Sequence, residues 1–206
     1  MLSLPLGHQA RANDTVGHMR INAARFISIV AHPFVLLTLL VFLPRFQNDA
    51  GGAFRTTLIF VGIVLVPMAL LIWRAVASGR WATIDASDKT DRPLLYGVSV
   101  VVLMAAIACF YFAERSSALV RGSLVGASML MLAALLNHRI KISLHLTFAC
   151  FCGVLLARVR LSYGLPVLLL IPPLIWSRVV LSRHVFPETI GGLILGIAGA
   201  AVFLCT

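Results

Sequence analysis

Seven stretches of this chain are apolar and nearly free of charge: 26–44, 56–73, 94–113, 122–137, 142–157, 161–176 and 189–206. A helix crossing the hydrocarbon core of a bilayer needs about 20 mostly apolar residues. The first three stretches and the last approach that length unaided. The other three, each of 16 residues, reach it by borrowing flanking turns such as Ser177 to Leu181. The runs are continuous rather than alternating, so a transmembrane β-barrel is excluded. The pattern predicts an all-α, polytopic transmembrane helical bundle of six or seven spans over residues 26–206. A polar N-terminal tail over 1–25 precedes it.

Composition agrees. Of 206 residues, 60% are hydrophobic and 12% charged, against about a quarter charged in an ordinary soluble domain. An excess of 17 Lys and Arg over 7 Asp and Glu would suggest nucleic acid in a soluble protein. In a membrane protein it reads instead as loop cations facing anionic headgroups, and nucleic acid is not expected as a partner. Fifteen of the 17 are Arg, which suits both bidentate phosphate binding and snorkelling. Cys109, Cys150, Cys152 and Cys205 lie within apolar stretches, without zinc-ligand spacing or a disulfide framework. The chain is expected to be a multi-pass protein of a cell membrane, taken as the plasma membrane of a bacterium.

If all seven stretches span, their connections alternate between the two membrane faces. Residues 1–25, 74–93, 138–141 and 177–188 then share one face, and nearly all the reactive polar residues gather there. The clearest group is Ser177-Arg178-Val-Val-Leu-Ser-Arg-His184-Val-Phe-Pro-Glu188. Four residues bring a carboxylate within reach of an imidazole on one helical turn, and a carboxylate on one ring nitrogen raises the basicity of the other. His184 is thereby a candidate nucleophile toward phosphorus, with Arg178 to neutralise the phosphoryl oxygens. An interfacial cluster pairing with lipid headgroups would have the same composition.

A second group, His138-Arg139-Ile-Lys141-Ile-Ser143-Leu-His145, opens the fifth span. Ser143 and Lys141 can donate to a phosphate at a helix N-terminus. His145 enters the apolar segment, where an ionisable group is a functional hypothesis, here protonation of a leaving oxygen. The third group, Asp85-Ala-Ser-Asp88-Lys89-Thr-Asp91-Arg92-Pro93, aims Lys89 and Arg92 at the interface, with Pro93 starting a helix. Its three Asp could instead bind a metal. The remaining acids, Asp14, Asp49, Glu114 and Glu188, supply no second acidic cluster, which disfavours a metal-dependent lipid transferase.

Taken in order, the three groups resemble the type 2 phosphatidic acid phosphatase superfamily of integral membrane lipid phosphatases. The family pattern is Lys-x6-Arg-Pro, then Pro-Ser-Gly-His, then Ser-Arg-x5-His-x3-Asp. Ser177-Arg178-x5-His184-x3-Glu188 matches the third element except for Glu in place of Asp. Ser143-Leu144-His145 matches the second, with Ile142 for Pro and Leu144 for Gly. Arg92-Pro93 matches the end of the first, where Asp85 replaces the lysine. The resemblance covers roughly residues 80–200. It implies metal-independent hydrolysis of a polyprenyl or phosphatidyl phosphate or diphosphate, without a cofactor. His184 would form a phosphohistidine, oriented by Glu188. His145 would be the general acid. Arg92, Ser143 and Arg178 would bind the phosphoryl group, with Lys89 or Lys141 in place of the missing lysine. The departures at Asp85, Leu144 and Glu188 also admit a weakened relative acting in lipid binding, transport or assembly.

Two intramembrane features stand outside these groups. His32, followed by Pro33, reads as lining a lipid-entry groove or bonding across helices at a proline kink. Gly191-Gly192-x3-Gly196-x2-Gly199 gives a smooth face for close packing, within the bundle or across a homodimer.

Overall fold

The computed structural model describes residues 6–83 and 90–206, with side chains from Gly17 onward. Asp85, Asp88 and Lys89 lie outside the described residues. The described chain is helical, without strands: α1 Leu6–Val30, α2 Pro33–Phe46, α3 Ala50–Phe60, α4 Val66–Ala77, α5 Arg92–Phe112, α6 Ser117–Leu136, α7 Leu144–Val159, α8 Leu161–Leu169, α9 Ile171–Val180 and α10 Phe186–Cys205. Six helical stretches are long and apolar enough to cross a membrane: Gly17–Phe46, Ala50–Ala77, Arg92–Phe112, Ser117–Leu136, Leu161–Val180 and Phe186–Cys205. This is an all-α polytopic bundle of a multi-pass membrane protein. The short stretch 161–176 does borrow its flanking turn, since its helix continues to Val180.

Prolines divide three of these stretches, each for a local reason. His32 is extended at φ −66°, ψ 138°, as the residue before a proline prefers, and it separates α1 from α2. Between α3 and α4 the chain widens into a π-turn, Val61–Leu65, where the Val66 N–H reaches back to the Val61 carbonyl. The following Pro67 has no N–H to continue the regular ladder, and such a bulge absorbs the mismatch. Between α8 and α9 the break falls at Leu170, just ahead of Pro172 and Pro173.

α7 is the axis of the bundle. Eleven of its 16 residues are buried, among them His145, Phe148, Phe151 and Leu156, the pattern of a helix apolar on every side. Enclosed by α2, α8 and α10, it has no need to match the bilayer thickness itself, so 16 residues suffice. The glycine face of α10 packs inward. A Cβ on Gly192 would strike the Ser143 carbonyl oxygen, one on Gly196 the Thr147 carbonyl oxygen, and one on Gly199 the Met129 sulfur. Those glycines let α10 approach the backbone of α7 and the face of α6, so the stripe serves the internal contact.

On the membrane face opposite the histidines, Glu114 is buried and holds three groups. It accepts from Arg45 at 3.1 Å and Arg55 at 3.0 Å, and from the Thr56 hydroxyl at 2.7 Å. This ties α2 and α3 to the turn between α5 and α6.

Gly196→Leu should force α10 off α7 and destabilise the fold by at least about 1–3 kcal/mol, the usual cost of overpacking. A lower melting temperature of the detergent-solubilised protein measures this. Gly62→Leu, in open space, should leave the melting temperature nearly unchanged.

Candidate active site

The α9 C-terminus explains the spacing between Arg178 and His184. Ser182 takes the left-handed conformation, φ 54°. Its N–H bonds the Val179 carbonyl at 2.9 Å, and the Arg183 N–H bonds the Arg178 carbonyl at 3.0 Å. These are the two bonds of a Schellman motif, here built on serine where glycine is usual. The His184 N–H also reaches the Arg178 carbonyl, at 3.2 Å. The chain therefore folds back within six residues, and the Arg178 and His184 side chains line the same cavity.

α10 then starts at Phe186 and carries Glu188 in its first turn. The Glu188 carboxylate accepts the His184 Nδ1–H at 2.9 Å and the Val185 N–H at 3.3 Å. The second bond is the carboxylate half of a capping box. It anchors Glu188 at the helix start, a place that favours negative charge. The Glu188 side chain is long enough to reach the ring from there.

Across the bundle, Arg92 opens α5, with Pro93 in its first turn. Its guanidinium donates to the Ile142 carbonyl at 2.8 Å and meets the Tyr96 hydroxyl at 3.3 Å. It also faces His184 Nε2 at 3.4 Å. With Nδ1–H directed at Glu188, Nε2 is left as the acceptor. The ring nitrogen that would attack is accordingly held beside a guanidinium. Arg178 is anchored from α1: its guanidinium donates to Ser28 Oγ at 2.8 Å, while the neighbouring Ser177 hydroxyl donates to the Ala24 carbonyl at 2.6 Å.

Ser143 is the N-cap of α7, and its N–H bonds the Glu188 carbonyl at 3.2 Å. That bond joins the second sequence group to the third. Ser143 Oγ and His145 Nε2 are both buried without a hydrogen-bond partner among the described residues. Buried polar atoms are rarely left so, and of the two residues His145 lines a cavity of the bundle. Leu144 lines the cavity beside His145.

Arg92, His145, Arg178 and His184 line one end of a cavity of about 490 Å³, with His32 from the start of α2. The walls are apolar, including Leu37, Val64, Val102, Phe148 and Phe151, and the cavity reaches Arg45, Arg121 and Arg158. It follows α2 and α7 from one end to the other, about 24 Å for the 16 residues of α7.

His184 lies between spans and is buried. Burial, then the charges of Arg92, Arg178 and Lys141, hold its imidazole well below the ordinary histidine value, against an upward pull from the Lys141 backbone. These influences favour the neutral ring at pH 7.

The structure thus unites Arg92, Ser143, His145, Arg178, His184 and Glu188, and places Lys141 within electrostatic reach. Arg183 is turned away onto the Thr83 hydroxyl at 3.2 Å, and His138 is exposed. Among the described residues no three His, Cys, Asp or Glu side chains group as metal ligands. One contribution escaped the sequence reading. Ser28 and Ala24 anchor α9, and the spacing of Ser28 and His32, one helical turn apart, was the available signal. His32 lies within the Gly17–Phe46 stretch and lines the cavity together with His145.

Compared with protein-family models, with curated proteins and with solved structures, the chain matches none.

Two outcomes follow from this geometry. Ser182→Gly should raise the melting temperature modestly, because glycine removes a left-handed strain of about 1 kcal/mol. His184 binds a proton below about pH 6.5 only in the unfolded chain. Its contribution to stability is therefore full above that pH and declines as the pH falls. Melting measured from pH 7.5 to 5 should show that decline, with a shallower slope in His184→Gln.

Proposed function

We propose that the chain is a membrane-embedded lipid phosphatase. Its substrate is a phosphate or diphosphate monoester of a polyprenyl or phosphatidyl lipid in a cell membrane. The observation that carries this reading is the bonding of His184: Nδ1 on Glu188 and Nε2 beside Arg92, at the mouth of an apolar cavity. The ordered resemblance of the three sequence groups to the phosphatidic acid phosphatase superfamily supports it.

In this mechanism the lipid tail occupies the apolar cavity and the phosphoryl oxygens meet Arg92, Arg178 and Ser143. Lys141 adds positive charge nearby. His184 Nε2 attacks phosphorus and forms an N–P bond as the P–O bond to the lipid or diphosphate leaving group breaks. Glu188 stabilises the imidazolium character that develops on His184. His145 gives its proton to the departing oxygen. A water then attacks the phosphohistidine, His145 takes a proton from that water, and inorganic phosphate leaves with His184 restored. The guanidinium groups supply the charge stabilisation that a metal supplies elsewhere.

The cavity also favours a second reading, lipid passage without hydrolysis, because it extends to Arg45, Arg121 and Arg158 on the far side. The two readings part at His184. Purified protein given a panel of lipid phosphates in the presence of chelator should release phosphate, and His184→Ala should reduce this by about a thousandfold or more. Acid-labile label from a radioactive lipid phosphate should attach to the wild-type chain and not to the variant. Equal release by both proteins would leave only the second reading. Glu188→Asp, which shortens a side chain already at 2.9 Å from the ring, should lower kcat about tenfold while leaving KM nearly unchanged.

A further inference from the structure

The first span contributes a ring to the pocket that none of the three sequence groups contains. His32 sits at the break between α1 and α2, between buried Ala31 and buried Pro33. Its Nδ1 accepts the Phe34 N–H at 3.2 Å. That bond caps α2 and places the proton of the neutral ring on Nε2. The His32 ring then meets the His145 ring at 5.0 Å between centroids, with the planes at 90°. Edge-to-face rings at this separation attract one another and resist reorientation.

His145 needs such support. A group that transfers a proton must be held within about 0.5 Å and 10–20° of its productive position, usually by a hydrogen bond to the other ring nitrogen. Its Nε2 has no partner among the described residues, and its ring contact is with His32. Around it stand Arg92 of α5, Arg178 of α9 and His184 of the α9–α10 turn.

We infer that His32 is a positioning residue for proton transfer by His145, holding that ring in the rotamer from which it protonates the leaving oxygen. No bond is made or broken at His32. This rests on the phosphatase reading, and the experiment separates the two. His32→Asn keeps a side-chain acceptor for the α2 cap but removes the ring. His32→Phe keeps a ring and gives up the cap. Both are compared with wild type on dodecyl phosphate, whose alkoxide leaving group needs a proton, and on p-nitrophenyl phosphate, whose leaving group does not.

His32→Asn should lower the single-turnover rate of phosphoenzyme formation from dodecyl phosphate by about tenfold or more, with the same rate from p-nitrophenyl phosphate retained. Hydrolysis of the phosphohistidine, which also uses His145, should slow alike for both substrates. His32→Phe should recover a large part of the loss despite its missing cap. Equal loss of the formation rate on both substrates, or no loss on either, would overturn the inference, the first because it marks a structural role. In protein carbon-13 labelled at histidine, His32→Asn should shift the His145 signal and leave that of His138. An unmoved His145 signal would overturn the contact whether or not phosphate is released. Release that His184→Ala leaves intact would overturn the phosphatase reading instead.

Discussion

The cost of holding guanidinium groups out of water at the end of an apolar bundle governs this structure. Arg92 is 3% exposed and Arg178 2%, and such burial is tolerated only when every donor is directed at an acceptor or a ligand. The fold meets part of this requirement by bringing backbone and hydroxyl acceptors from distant elements: the Ile142 carbonyl and Tyr96 for Arg92, Ser28 for Arg178. The same bonds aim the guanidinium groups at one end of the cavity. Positioning and solvation of these cations are thus one structural task.

A polar end joined to an apolar length has a definite ligand chemistry. Positive charge from Arg92, Arg178 and Lys141 crowds one imidazole, while Glu188 occupies the far nitrogen of that ring. A phosphoryl group entering there would offset the cationic excess, and a hydrocarbon tail would fill the space along α2 and α7.

Buried polar contacts hold both ends of the bundle. At the far face, Glu114 draws together Arg45, Arg55 and Thr56, and Arg115 beside it takes a left-handed conformation, φ 47°. At the site face, Ser143 Oγ and His145 Nε2 stay without partners among the described residues, and Ser182 holds the corresponding left-handed conformation. Backbone strain thus falls at a helix-to-helix turn on each face, and the gathering of cations around one imidazole sets the site face apart.

Much of the site was legible because its geometry is local. The four-residue step from His184 to Glu188 is short enough for a direct bond, although it is made from just ahead of α10 and not across a turn of it, and Pro93 at a helix start predicts where Arg92 stands. The six apolar spans likewise follow from composition alone, since a bilayer requires each of them to satisfy its own backbone. Other features depended on packing. No sequence rule places His32 against His145, 113 positions apart, or turns the glycine face of α10 toward α7 instead of a second molecule. Nor does spacing reveal that a serine would carry the Schellman turn. The sequence by itself determined a helical membrane bundle and three groups of polar residues on one face of it. Only the tertiary structure decided which of those residues meet, because long-range contacts depend on how helices pack, and helix packing rests on side-chain shape more than on periodicity.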